Sequence, residues 1–181
     1  MRTADYNAEK FRELLIYIAE QTADDPTFGD TKLNKALYFC DFFGYSHLGH
    51  AITGARYQKL PYGPAAVPLK PVRRELEAEG AVGIEERAIG TRVARITVAK
   101  RPARRDLFDA EELALIDDVV RQIRTHTAAS VSNMSHRQSA GWNLVELNED
   151  IPYSTALIST EPPSDRTIAN ARDVARARLG W

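Results

Sequence analysis

Cysteine is nearly absent from these 181 residues: Cys40 stands alone. It has no partner for an intramolecular disulfide and no companions for a thiolate zinc cluster. Long apolar runs are missing as well, since no stretch approaches the roughly 20 residues needed to cross a bilayer. The opening residues, Met1-Arg2-Thr3-Ala4-Asp5-Tyr6, are charged and polar where a secretory leader needs an apolar core. The expectation is a soluble chain with a cytoplasmic address and no membrane partner. Nor is there an excess of one charge: 24 Lys and Arg against 25 Asp and Glu give a net charge of -1 and a pI of about 6.4. Such a balance provides no global attraction to a phosphate backbone. The motif inventory is equally sparse, with no Gly-x-Ser-x-Gly elbow, no P-loop, no Gly-x-Gly-x-x-Gly turn and no His-Glu-x-x-His pair.

What is present is an ordinary globular composition, 44% hydrophobic and 27% charged, long enough for one domain with a sizeable core. Asp5 or Asn7 can cap a first helix in which Phe11, Leu14, Leu15 and Ile18 fall on one face. Asp30 or Thr31 can cap a second. Its Leu33, Ala36, Leu37 and Cys40, with Tyr38, Phe39, Phe42 and Phe43, make it apolar nearly all round, which predicts a central helix. Residues 52–60 read as extended, followed by a turn at Pro61-Tyr62-Gly63-Pro64, and a helix spans about 69–79 after Pro68. Val82–Glu86 and Arg92–Val98 suggest a hairpin around Gly90. Asp109 and Glu112 form a capping-box start for a helix through Ile123, and a shorter helix covers Ala128 to His136. After Trp142 the chain reads as irregular. Glu161-Pro162-Pro163-Ser164 reads as a linker to a last helix with an apolar stripe (Ile168, Ala171, Ala175, Leu179) among Arg166, Arg172, Arg176 and Arg178. The expected fold class is α+β, mainly α-helical, a compact helical domain with a small β-hairpin or ribbon. The domain occupies residues 1–160, and 161–181 form a C-terminal linker and helix suited to docking.

Three segments together resemble a known family: Thr31-Lys32-Leu33-Asn34-Lys35-Ala36-Leu37-Tyr38-Phe39, then Tyr57 through Tyr62-Gly63-Pro64, then Ser135-His136 with Trp142. They look like the Panacea domain of SocA-like antitoxins and similar phage-associated proteins, over roughly residues 7–145. The resemblance implies an antitoxin of a toxin–antitoxin system. It would neutralise a toxin, commonly encoded by an adjacent gene, through direct protein–protein contact, in one branch by delivering the toxin to a protease. It implies no catalytic residue, cofactor or metal.

The same residues have plainer readings. Leu33 and Leu37 are core positions. Lys32, Asn34 and Lys35 can face solvent, a partner, or buried backbone near the Tyr-Gly-Pro turn. Gly63 permits a positive φ, and Pro64 fixes the direction of the chain after it. His136 suits a helix C-terminus, and Trp142 suits the edge of a core with its indole N–H bonded. His47 and His50 near Asp41 are the nearest approach to a metal set, with the wrong spacing for one. Cys40 and His136 are the only nucleophile–base pairing worth naming, and Cys40 falls on an apolar face.

The helix, helix and hairpin order around 66–98, with Arg73, Arg74, Arg87, Arg92, Arg95 and the basic run Lys100–Arg105, resembles a winged helix, so a DNA-binding regulator is the alternative. Interleaved Glu75, Glu77, Glu79, Glu85 and Glu86 oppose phosphate contact. The partner-binding residues expected from side-chain chemistry are Tyr57, Lys59, Tyr62, Arg166, Arg172 and Arg176, because aromatic and arginine side chains most often dominate binding.

Overall fold

The computed structural model describes residues 2–89, 92–159 and 164–179. Helix α1 spans Ala8–Gln21, and Asn7 caps it by accepting the Lys10 amide at 3.0 Å. Helix α2, Asp30–Phe43, is the axis of the molecule: α1, α4, α5 and both hairpins pack against it. Its apolar residues from Leu33 to Phe42 are buried on every side, as expected of a central helix, and Phe43 is half-buried. The expected caps are corrected. Gly29 occupies the cap position without a side-chain bond, while the carboxylate of Asp30 pairs with the buried Arg73.

The first hairpin joins β1 (Tyr57–Leu60) to β2 (Gly63–Ala66), in register from Tyr57 opposite Ala66 to Leu60 opposite Gly63. The turn is therefore only Pro61-Tyr62, and Gly63 and Pro64 belong to the returning strand. Gly63 sits at φ 103°, a region that favours glycine. Helix α3 (Leu69–Ala78) follows, then β3 (Val82–Ile89) and β4 (Arg92–Ala99), which pair along their whole length. Between residues 66 and 98 lie one helix and a hairpin, so the helix–helix–hairpin order of a winged helix is not formed.

Helix α4 (Ala110–Arg124) starts with the anticipated reciprocal capping box of Asp109 and Glu112. Helices α5 (Ala128–Gln138) and α6 (Ala140–Leu144) share Ser139 at their junction, and α7 spans Asp165–Leu179. The expectation that the chain becomes irregular after Trp142 misses a structural return. Residues 148–151 run back along the free edge of β1: the Asn148 amide donates to Lys59, the Lys59 amide to Glu149 and the Ile151 amide to Tyr57, at 2.8 to 3.0 Å. Tyr153 then stacks on Phe42 at 4.6 Å and donates its hydroxyl to Ala55. The fold class is thus mainly helical with two small two-stranded antiparallel sheets. Among the described residues no helix is long and apolar enough to cross a membrane. The 161–163 linker, the Gly90 loop and the side chains of Arg92, Ala171, Ala175, Arg178 and Leu179 lie outside the described residues.

Candidate functional site

The polar side chains of α2 act as a third strand for the first hairpin. The Val67 amide donates to Arg56, so by antiparallel alternation the Ala66 N–H and the Pro64 carbonyl point away from β1. Asn34 accepts the Ala66 amide at 3.0 Å and donates from its other end to the Asp30 carbonyl at 2.9 Å. The buried Lys35 ammonium donates to the Pro64 carbonyl at 3.2 Å, and Pro64 itself has no N–H to satisfy. The Ala66 N–H and the Pro64 carbonyl are thereby closed by the helix, and the Pro64 N–H is absent. Burial pulls the Lys35 amine down to about 8. Gly63 is required for space as well as for its φ, because a Cβ there would lie 2.8 Å from Lys35 Nζ and 2.5 Å from Ser135 Oγ. Lys32, also buried, faces the other way and holds the loop before α2 through Asp25 and Thr27, each at 3.0 Å.

The second half of the motif braces the same hairpin from α5 and α6. Ser132 donates to the Tyr62 carbonyl at 2.8 Å, and Ser135 donates back to Ser132. The Trp142 indole N–H donates to the Leu60 carbonyl at 3.1 Å, while its backbone amide caps onto Ser139, whose hydroxyl lies 2.6 Å from that of Tyr38. Lys59 is half-buried: its ammonium sits 4.6 Å from the Trp142 ring centre and donates to the Val145 carbonyl. His136 stacks on Trp142. Its Nε2 is shut from water without a partner, and burial, then the charges of Lys35 and Lys59, hold its pKa below the ordinary histidine value.

Tyr57 corrects an expectation. It was expected to face a partner and is instead 1% exposed, with its hydroxyl between Asp41 Oδ2 at 2.7 Å and the Leu37 carbonyl at 2.8 Å. A phenol this large, flanked by Tyr38, Phe42 and Tyr153, is core. Sequence reasoning missed the role of Asp41. It is fully buried and accepts from Thr53 N and Oγ1, Gly54 N and the Tyr57 hydroxyl. Burial raises its pKa, and those four donors offset part of the rise. The only sequence signal was an acid inside the most hydrophobic helix.

The other candidates separate. His47 is exposed against Phe43, and Asp41 faces inward, so the two histidines and Asp41 do not converge. His50 instead meets Glu112 at 3.0 Å beside Asp109. There the Lys10 ammonium contacts both Glu112 oxygens, at 2.6 and 2.7 Å, and so already offsets the Glu112 charge. Cys40 is fully buried, its thiol pushed well above its usual pKa chiefly by that burial, and it makes no hydrogen bond with His136. The basic run is tied to α1: Arg101 pairs with Glu13, Arg104 with Glu9 and Arg105 with Glu20. Burial raises Glu13, but bonds from Arg101 and the Arg104 amide outweigh it and leave its pKa lowered. Arg73 is held by Asp30 and Arg87 by Glu85. Tyr62 is exposed at the hairpin turn, and Arg166, Arg172 and Arg176 are exposed on α7.

A family model described as antitoxin SocA-like, Panacea domain, matches residues 33–143. The match takes in Leu33, Asn34, Lys35, Tyr38, Gly63, Pro64, His136 and Trp142, and leaves Lys32, α1 and α7 outside it. No curated protein and no solved structure matches the chain. With more than half of its length matched, the motif residues assembled around one hairpin, the chain belongs to the SocA-like antitoxin family, the Panacea domain.

Proposed function

We propose that this protein neutralises a cognate toxin by gripping it, masking the toxin sterically rather than transforming a substrate. The observation that carries the reading is how the motif side chains are used. Asn34, Lys35, Ser132 and Trp142 are bonded to the backbone of the β1–β2 hairpin, and the hairpin tip is left projecting. Polar groups engaged in this way hold a surface in place. A DNA-binding regulator draws less support, because Arg73, Arg87, Arg101, Arg104 and Arg105 are each paired with a carboxylate, which leaves Arg74 and Arg95 as the exposed arginines of that set without one among the described residues. The exposed arginines of α7 make it a docking arm that adds to the grip.

The test is co-expression with the product of the adjacent gene. That product alone should arrest growth, the pair should grow, and the two should co-purify with the toxin intact. A harmless neighbour, or rescue without complex formation, would count against direct neutralisation. Disappearance of the toxin from rescued cells would replace masking by delivery to a protease.

A further inference from the structure

We infer that the toxin-contacting face is the apolar tip of the β1–β2 hairpin together with the α6 end, and that its occupant is an apolar segment flanked by basic side chains. The inference rests on the antitoxin reading above and specifies where and with what chemistry the grip occurs.

Tyr62 is 76% exposed, Leu144 66%, Leu147 53% and Leu60 37%. Single exposed apolar residues mean little, but these four lie on segments bonded to the same hairpin end. The Trp142 indole ties α6 to the Leu60 carbonyl, Ser132 holds the Tyr62 carbonyl, and Asn148, next to Leu147, donates to Lys59. With α2 closing one edge of the hairpin and residues 148–151 the other, the patch is held before any partner arrives. Preorganisation of this kind lowers the ordering cost of binding, and an exposed tyrosine on a hairpin that a half-buried tryptophan anchors has the composition of a binding hot spot.

Charge defines the partner. Glu146 is exposed and its carboxylate has no cation opposite it among the described residues, while that of Glu149 accepts only the Glu146 amide. The nearby cation, Lys59, is turned inward onto Trp142 and the Val145 carbonyl, and Arg56 is matched by Asp150. The rim along 146–149 is therefore acidic. A second copy of this chain, docked through the same patch, would set those carboxylates against each other, so a partner with a basic rim is the complementary occupant.

The experiment uses the full chain and the purified product of the adjacent gene, with affinity measured by calorimetry at two salt concentrations. The triple variant Tyr62→Ser, Leu144→Ser, Leu147→Ser should melt like the parent and bind at least about 100-fold more weakly, as expected for loss of a hot-spot cluster. Val93→Ser, at the tip of the other hairpin and 65% exposed, should bind like the parent. Glu146→Lys should weaken binding about fivefold to tenfold and flatten its salt dependence. If the parent does not bind the neighbour's product, both the antitoxin reading and this inference fall. If the parent binds and the triple variant binds equally well, the antitoxin reading stands and the surface is wrong. Unchanged or tighter binding by Glu146→Lys would overturn the basic-partner assignment. Should the triple variant lose its melting transition, Tyr62→Arg alone carries the same test, since that side chain is the most exposed of the four.

Discussion

The imidazole of His136 lies flat on the indole of Trp142, with ring centroids 3.9 Å apart and planes 11° from parallel. Lys59 and Lys35 bear on the same group, so a proton on His136 is opposed by burial first and by two ammonium charges after it. In the folded protein His136 should titrate below the ordinary histidine value of about 6.5. Between its folded and unfolded pKa the unfolded chain binds more protons. Stability is therefore full above the unfolded value and falls as pH drops through the folded one. Imidazole NMR titration gives the pKa directly, and denaturant melts of the parent and His136→Gln across about pH 5 to 7 should diverge in slope.

Lys35 carries the same sign at higher pH. Its folded pKa of about 8 lies below the unfolded 10.5, so stability should rise as pH increases through that window. Lys35→Met should lose this rise while the parent keeps it, as read from urea midpoints at stepped pH.

Asn34→Ala leaves the Ala66 amide without its partner at a part-buried site and removes the side-chain bond to the Asp30 carbonyl. The expected cost is about 2 kcal/mol, seen as a lower urea midpoint with an unchanged slope.

Gly63→Ala combines a left-handed φ with a Cβ placed 2.8 Å from Lys35 Nζ. It should cost about 1–3 kcal/mol or more, and a thermal melt with little change would show that α2 and α5 yield easily there.

Tyr57 and Tyr62 should part company on truncation. Tyr57→Ala empties a fully buried site and strips a donor from Asp41, for a loss of about 3–5 kcal/mol. Tyr62→Ala should stay within about 0.5 kcal/mol, as surface changes do. Paired thermal melts of the two single variants check both.

Truncation after residue 159 should leave the melting transition in place, because the hydrophobic core of the described residues is built from residues between Phe11 and Ala156. Weaker capture of the toxin by the truncated protein is the expected cost of losing the α7 arginines, and undiminished capture would end the docking-arm assignment.

The helices were legible because their signals are local. The Phe11 to Ile18 spacing, the Asp109–Glu112 box and the nearly all-round apolar surface of 33–43 each act within a few residues of chain. The return of 148–151 along β1 was not legible, since its bonds are between backbone groups that any sequence supplies. Nor was the burial of Tyr57: a strand tyrosine between Arg56 and Gln58 reads as a surface residue until Asp41, sixteen residues earlier, is seen to accept its hydroxyl.

By itself the sequence determined the central helix, the two hairpin segments, the capped fourth helix and the family, because periodicity, turn chemistry and motif spacing are written in neighbouring residues. Only the tertiary structure decided what the motif does. Asn34 and Lys35 could equally have faced solvent, and they meet β2 because its outward Ala66 N–H and Pro64 carbonyl, buried against α2, would otherwise go unsatisfied.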